Sequence, residues 1–540
     1  MPSTLPPVRG VALDDAVAQV LGPDATLREA QRDALAGLAD HDTLLVARTG
    51  AGKSAVYAIA TLVARRLTLV VSPLVALQRD QAQSLREVGL RAATVSSAVS
   101  TARQKQALDD AAARRLDVLL LAPEQLQRTV VLDALRVADV GLVVVDEAHC
   151  VSEWGHDFRP DYLHVGSAVR ALGRPRVLAM TATASAHARD EVVERLGLDR
   201  PRVLVHDADR PNIWLGAHPT ATEGDQDARV VEEVLATEGA AIVYARTRAR
   251  TEEVAALLDR GGRPALVYHA GLPAKERARV QDAFLHGRHD TVVATSAFGM
   301  GVDRADVRLV VHVGPPPSLD AYYQEVGRAG RDGEPARAVV VHRPADTALN
   351  RYLRSGGGPR PATLQTVLVS LADGPLDRAA LVDRSGLGAR TVARALAELQ
   401  QVGAVRDDDG RWAGTDEVTG REALAAVRAA RERRAALDES RVELVRTYTD
   451  TTDCRRRLLL ELLGEHHPDP CGRCDSCDRG TSTPVQDAAA RPGQPVRHEQ
   501  FGDGTVSVVE ADRLTVLFDE HGYVTLDAAV ALDSALLTPR

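Results

Sequence analysis

Thr49-Gly50-Ala51-Gly52-Lys53-Ser54 is the first stretch of this sequence whose residue types could do chemistry. Glycines let backbone N–H groups close around phosphates, a lysine can reach the β- and γ-phosphates, and a serine hydroxyl can ligate Mg2+. Ala47 stands where the usual pattern has its first glycine, so this segment taken alone would also suit a plain turn between strand and helix. A second stretch, Asp146-Glu147-Ala148-His149, follows an apolar run at 142–145. Doubly wound sheets present ligand-binding residues at that edge of a strand. Asp146 suits Mg2+, directly or through water, and Glu147 suits orienting or deprotonating an attacking water. A third stretch, Gln324-Glu325-Val326-Gly327-Arg328-Ala329-Gly330-Arg331, sets Arg328 and Arg331 on one face of a helix or turn. Guanidinium groups that reach a γ-phosphate stabilise transition-state charge, worth roughly 10³–10⁵ in rate. In this order the three stretches predict a nucleotide gripped between two parts of the chain. The catalytic candidates are Lys53, Asp146, Glu147, Arg328 and Arg331.

A separate chemistry is written in the cysteines. Of five, Cys454, Cys471, Cys474 and Cys477 lie close together, spaced x16, x2 and x2. Thiolates on such a knuckle, completed by a more distant cysteine, make a tetrahedral zinc site. Clustered cysteines in a cytosolic setting favour a metal over disulfides. Structural zinc can supply ~10–16 kcal/mol of folding energy, so the ion is expected to hold this module together. His466 and His467 are lesser alternatives as ligands, and Cys150 reads as a small packed residue.

These groups need a frame. Short β-branched runs at 43–47, 67–72, 117–121, 142–145 and 176–180 alternate with helix-forming stretches such as 54–65 and 75–88. Buried strands alternating with helices predict parallel α/β layers. The pattern pauses at Asp209-Arg210-Pro211-Asn212 and resumes with runs at 240–244, 265–269, 291–295 and 309–313, so two α/β lobes are expected to join near residue 210. Residues 362–413 change character: helices at 363–372 and 389–401, then two strands around Asp407-Asp408-Asp409-Gly410, the pattern of a winged helix. An Arg-rich helical stretch at 421–446 leads to the cysteines. After a Ser/Thr/Pro/Ala-rich linker, alternating strands at 496–526 predict a small β-barrel.

Composition bounds the function without choosing it. At 540 residues the chain needs several cores, and its 45% apolar and 26% charged residues are those of a soluble globular protein. No run of about 18 apolar residues and no signal-like N-terminus is present, which predicts a cytoplasmic protein. A net charge of −9 argues against nucleic-acid binding through sheer basicity, so any DNA contact must come from local patches. Lysine occurs only as Lys53, Lys105 and Lys275, which makes a lysine inside a glycine-rich loop stand out.

Residues 26–340 resemble the core of a RecQ helicase, a superfamily-2 motor. The matching segments are Leu27-Arg28 with Gln31, the 49–54 loop, Ser72-Pro73-Leu74, Asp146-Glu147-Ala148-His149 and Thr181-Ala182-Thr183. In the second half they are Tyr268-His269-Ala270-Gly271-Leu272, Ala297-Phe298-Gly299-Met300-Gly301-Val302-Asp303 and the 324–331 stretch. Directly after His149, the segment Cys150-Val151-Ser152-Glu153-Trp154-Gly155-His156-Asp157-Phe158-Arg159-Pro160 resembles the aromatic-rich loop that sets this family apart. Aromatic residues are only 3% of the chain, yet Trp154 and Phe158 share this loop. Their faces could stack on bases for ~1–3 kcal/mol each. The cysteine segment, with Cys454-Arg455-Arg456-Arg457 before it, resembles the RecQ zinc module.

The resemblance implies an ATP-dependent DNA helicase moving 3′→5′ on single-stranded DNA and unwinding duplex in repair or recombination. It implies ATP, Mg2+ and Zn2+ as ligands. Gln31 would read adenine, Arg28 would pack on base or ribose, and Asp303 would meet the sugar. Thr49, Gly50, Ala51, Gly52, Lys53 and Ser54 would cradle phosphates, with Ser54 and Asp146 on Mg2+. Arg331 would be the finger, with Arg328 and Gln324 relaying. Single-stranded and duplex DNA are the expected partners, met by Ser72, Trp154, His156, Phe158, Arg159 and His269.

The expected fold is α/β, with two tandem RecA-like parallel-sheet lobes at 1–208 and 209–354. A winged-helix-like domain (360–415), a helical four-cysteine zinc module (416–480), a linker (481–494) and a small Tudor/SH3-like barrel (495–540) complete it. The tail resembles the barrel that ends UvrD-type helicases and could take a protein partner. One departure matters: the family's usual order puts the winged helix after the zinc module, and here it comes before. That leaves open a translocase that hydrolyses ATP without separating strands. An RNA helicase and a non-catalytic DNA-binding adaptor are weaker rivals.

Overall fold

Runs of Val and Leu with no polar alternation make strands covered on both faces. In the first lobe these are Thr43–Val46 (β1), Leu67–Val71 (β2), Ala92–Val95 (β3), Val118–Leu121 (β4), Val140–Val145 (β5), Arg176–Thr181 (β6) and Arg202–Val205 (β7). β1, β2, β4 and β5 are buried along their whole lengths. The computed structural model describes residues 11–540 apart from 74, 97–98, 153–158, 207, 300–301, 349–357, 409, 416–417, 419, 466, 486–489, 511 and 534–535. All seven strands are parallel, in the order β3-β4-β2-β5-β6-β1-β7. Asp42 fastens one end of this sheet, accepting hydrogen bonds from the amides of Val177 and Asp199, both at 2.9 Å.

The second lobe is a six-stranded parallel sheet: Ile213–Pro219 (β8), Ala240–Ala245 (β9), Leu266–Tyr268 (β10), Thr291–Ala294 (β11), Val307–Val313 (β12) and Ala336–His342 (β13). Their order is β10-β11-β9-β12-β13-β8. The pause expected around 209–212 is short, because β8 starts at Ile213 and pairs with β13 along its full length. Gly216, His218 and Pro219 interrupt the apolar pattern of β8, which is why it does not stand out in the sequence.

Beyond the lobes, helices Pro361–Ser370, Arg378–Ser385 and Ala389–Gln401 pack with a three-stranded sheet of Leu376–Asp377 (β14), Val405–Asp408 (β15) and Arg411–Gly414 (β16). The helix Ala389–Gln401 buries Val392, Ala395, Leu396 and Leu399, one stripe at helical spacing. A 31-residue helix, Gly420–Asp450, then crosses to the zinc module. Finally Pro495–His498 (β17), Gly502–Val509 (β18), Arg513–Phe518 (β19), Gly522–Asp527 (β20) and Leu537–Pro539 (β21) form an antiparallel sheet in the order β20-β19-β18-β17-β21. The last strand returns beside the first, β21 pairing with β17, and this antiparallel sheet region encloses its own apolar core. No helix among the described residues is long and apolar enough to cross a membrane.

Candidate nucleotide and zinc sites

The 49–54 loop connects β1 to the helix Lys53–Ala64, with Gly50 and Gly52 both at positive φ. A Cβ on Gly52 would meet only the movable end of the Gln31 side chain, so it is the left-handed conformation, φ +75, that asks for glycine in this turn. Lys53 Nζ donates to the carbonyls of Ala47 (2.7 Å) and Arg48 (3.3 Å). Burial pulls its proton affinity below the ordinary lysine value, Glu147 and Asp146 push it back up, and Arg331 lowers it further. Gln31 Nε2 donates to the carbonyl of Gly52 (3.1 Å) and Arg28 to that of Gly50 (2.5 Å). Both residues expected to meet the nucleotide therefore rest on the loop that would hold its phosphates. Ser54 is exposed at the helix start.

Asp146 and Glu147 leave the carboxyl end of β5, where a parallel sheet presents its ligands. Asp146 is 7% exposed and burial raises its pKa, opposed by a hydrogen bond from Gln81 (3.1 Å), by Lys53 and by the Glu147 amide (3.0 Å). A buried carboxyl of this kind is relieved by a nearby cation, so the donor set fits a divalent ion. Glu147 sits at φ +50, in the left-handed region where non-glycine residues are uncommon. Its carboxylate lies 3.4 Å from His149 Nδ1, which is 2.9 Å from the Thr181 hydroxyl, linking the acid pair to the 181–183 loop. Tyr162 donates to the backbone carbonyl of Asp146 at 2.9 Å. Gln81 and Tyr162 were not expected; single polar residues, one on the helix Val75–Glu87 and one in the short 3-10 turn Pro160–His164, carry no spacing that would reveal them.

The second lobe brings its arginines to the same place. Arg331 approaches Gly50 to within 4.0 Å of where a Cβ would stand, and Gly327 stands comparably against Thr49 (3.8 Å). Arg331 pairs with Asp303. Burial and Arg328 lower its pKa, with Asp303 opposing. Arg328 is buried and donates to the carbonyl of Val302 at 3.5 Å. Gln324 Nε2 is buried with no hydrogen-bond partner among the described residues. Thus Lys53, Asp146, Glu147, Arg331 and Asp303 converge on one cleft between the lobes.

The residues expected to meet DNA divide. Trp154, His156 and Phe158 lie outside the described residues. Arg159 donates to the carbonyl of Pro73 at 3.0 Å, joining the end of that loop to the segment after Ser72. Ser72 is buried, and His269 is 5% exposed with its ring 3.2 Å from Glu252.

The four cysteine sulfurs all lie within 4.8 Å of one another, with Cys471 and Cys477 at 3.9 Å. Sulfurs about 2.3 Å from a tetrahedral zinc stand roughly 3.8 Å apart, so the cluster fits the ion. Hydrogen bonds from the neighbouring thiols hold Cys454 down to about 3, and the same proximity pushes Cys471 up. Thiolates packed this closely repel one another, and a bound cation would stabilise them together. His467 turns to the carbonyl of Asp469 (2.9 Å) and takes no part in the cluster, while His466 is outside the described residues. The three arginines after Cys454 are each at most 4% exposed. Arg455 forms a two-point pair with Asp475 (2.5 and 3.0 Å), Arg456 reaches Asp209 (2.7 Å), and Arg457 holds Asp453 (2.9 Å) and the carbonyls of Pro468 and Thr483. The knuckle meets the outer strand of the second lobe through a Leu215–Cys474 bridge and a Trp214–Asp478 hydrogen bond of 2.8 Å.

Family models match in chain order: DEAD/DEAH box helicase at 28–192, helicase conserved C-terminal domain at 226–333 and RecQ zinc-binding at 416–478. The chain is 34% identical to the ATP-dependent DNA helicase RecQ of Synechocystis sp. over 458 residues, 82% of this chain and 92% of that one. It is 31% identical to RecQ of Pasteurella multocida over 472 residues (87% and 63%) and 37% identical to a probable ATP-dependent DNA helicase RecS of Bacillus subtilis over 331 residues (61% and 66%). Against these last two the chain spans just under two thirds of the relative's length. Two solved structures share the fold at a TM-score of 0.53: the Mycobacterium smegmatis helicase Lhr bound to single-stranded DNA and AMP-PNP (23% identity, 80% of this chain and 62% of that one) and the DUF1998 helicase MrfA bound to DNA (19%, 80% and 61%). With two parallel-sheet lobes closing on one cleft and a four-cysteine module against the second, the chain belongs to the RecQ family of ATP-dependent DNA helicases.

Proposed function

We propose that this protein is a cytoplasmic DNA-dependent ATPase that moves 3′→5′ along single-stranded DNA and unwinds duplex in DNA repair or recombination. The observation that carries the reading is Arg331 of the second lobe seated against the Gly50 turn of the first, with Lys53 close enough to feel both the acid pair and this guanidinium. Residues 1–208 and 209–354 are the two motor lobes. Mg2+, held by Ser54 and Asp146, would neutralise charge between the β- and γ-phosphates. Glu147 orients the attacking water and takes its proton, while His149 keeps the carboxylate aimed. Lys53 exchanges its loop carbonyls for phosphate oxygens. Arg331 leaves Asp303 for the γ-phosphate and Asp303 is freed for the sugar. Opening and closing of the cleft then moves the lobes along DNA held by Ser72, Trp154, His156, Phe158, Arg159 and His269.

Translocation without strand separation is the second reading, favoured by the acidic Asp407–Asp408 tip of the β15–β16 hairpin and by its place before the zinc module. The decisive experiment measures ATP hydrolysis with single-stranded DNA, RNA or neither, beside strand release from forks with 3′ or 5′ tails. DNA-stimulated hydrolysis with release from 3′-tailed forks is expected. Stimulation without release selects the second reading, and stimulation by RNA alone overturns both.

A further inference from the structure

The segment between the lobes touches more of the machinery than a tether needs to. Arg210, 9% exposed, donates from Nη1 to the carbonyl of Gly327 (3.0 Å) and from Nη2 to those of Ala329 (2.6 Å) and Gly330 (2.8 Å). Those carbonyls lie on either side of Arg328 and immediately before Arg331. One planar guanidinium spanning the turn fixes its rotation, as a fork of donors in rigid geometry can and a lysine cannot. Asn212 adds bonds from Nδ2 to the carbonyls of Gly330 (2.8 Å) and Glu334 (2.9 Å). Gly330 has φ +55, and the Asn212 amide and the Glu334 carbonyl occupy the space a Cβ there would take.

This segment is itself gripped from the zinc module. Arg456, 4% exposed, pairs with Asp209 (2.7 Å) and donates to the carbonyl of Ile213, taking hold on both sides of Arg210. Glu465 accepts from the Ala208 amide, and Tyr323 donates to the Ala208 carbonyl (2.5 Å). From the first lobe, Arg48 in the phosphate loop reaches the Asp209 carbonyl at 3.4 Å. Asp209, Arg210, Tyr323 and Arg456 line one small cavity of about 20 Å³, so the three parts of the chain meet at this point. Burial, Arg48 and then Arg331 lower the Arg210 pKa, partly offset by Tyr323 and Asp209.

We propose that Arg210 is a positioning residue for the arginine finger, and that Arg456 makes the zinc module the support on which this positioning rests. The inference stands on the reading of Arg331 as the finger. Arg210 does not touch the nucleotide; it sets where Arg331 points when the cleft closes.

The test uses the full zinc-loaded chain and compares Arg210→Lys, Asn212→Ala, Arg456→Met and Arg331→Ala. With single-stranded DNA present, kcat and KM for ATP are measured beside affinity for ADP–beryllium fluoride and for ADP–aluminium fluoride, which mimic ground and transition states. Arg210→Lys should lower kcat by ~10–100-fold, as a displacement of about 1 Å at a remote support does, with KM within about 3-fold. Affinity for aluminium fluoride should fall by the same factor and that for beryllium fluoride should hold. Asn212→Ala, the gentler variant should Arg210→Lys melt early, should give a smaller change of the same kind. Arg456→Met with zinc retained should do likewise. A normally melting Arg210→Lys with unchanged kcat, or with both affinities reduced alike, overturns the positioning role. Arg456→Met without effect overturns the link to the zinc module. If Arg331→Ala itself keeps its aluminium fluoride affinity, the finger assignment falls instead.

Discussion

In the first lobe, Lys53 bonds carbonyls five and six positions upstream, and Asp146 and Glu147 continue β5, steadied by Gln81 and Tyr162 of the same lobe. In the second, the turn carrying Arg328 and Arg331 is held by Arg210, 117 to 120 positions away, and by a segment that the zinc module grips in turn. The two halves of one cleft are thus assembled on different scales. A locally built half keeps its shape wherever its strand and helix form. A half assembled at long range is only as well placed as the modules that brace it, and damage far from the nucleotide should register there first.

Zinc removal should separate the halves most sharply. Elemental analysis is expected to find one zinc per chain, and chelation should withdraw ~10–16 kcal/mol of folding energy from the module. Hydrolysis should fall while a fluorescent nucleotide still binds the first lobe; equal loss of both would erase the distinction. Next in size are Lys53→Ala and Glu147→Gln, each expected to cut turnover by about 10³-fold with melting unchanged, since they act on charge rather than on support. Turnover within tenfold of the parent would refute the local half as drawn.

The C-terminal sheet is tied on by the same long-range logic. Glu461, 2% exposed, accepts the Val509 amide at 2.8 Å, and burial raises it from the usual 4.5 to about 7. A group raised on folding stabilises fully below its unfolded pKa, and that contribution is lost as pH climbs through the folded one. Stability should therefore fall between about pH 4.5 and pH 7 by on the order of 3 kcal/mol from this group. Glu461→Gln should flatten that slope, read as melting temperature against pH; an unaltered slope would assign it elsewhere.

The smallest effect comes from the turns. Gly330→Ala meets the Glu334 backbone and should cost ~1–3 kcal/mol, whereas Gly52→Ala meets the end of the Gln31 side chain, which can swing aside. Chemical denaturation of both variants should find Gly330→Ala the less stable. The reverse order would mean that the remote turn is the looser one.

The same division decides what could be read in advance. Strands such as β1 and β5, solidly apolar, and the 49–54 loop between strand and helix announce themselves by type and spacing. So do the cysteines, whose x2 intervals place ligands on a knuckle. β8 was hidden by its polar and small residues, and its neighbour β13 gave no motif. Gln81, Tyr162, Arg210 and Asn212 act through backbone carbonyls or single contacts set by tertiary approach, and no periodicity records that. Arg210 and Asn212 stood in plain view at the pause between the lobes, yet a pause by itself speaks only of a connection. Three consecutive arginines after Cys454 would ordinarily be taken as a solvated basic turn, and all are buried with separate duties.

The pairing of Leu215 with Cys474 has a consequence for how the protein survives in solution. β8 borders its sheet, and the knuckle covers that border with the Arg473 carbonyl on the Leu215 amide and the Asp475 carboxylate on the Ala217 amide, both at 3.3 Å. Stripped of its ion, the knuckle would let go and leave a bare row of amides and carbonyls inviting another chain to pair. Metal starvation would then be felt as clumping as well as in the fall of hydrolysis.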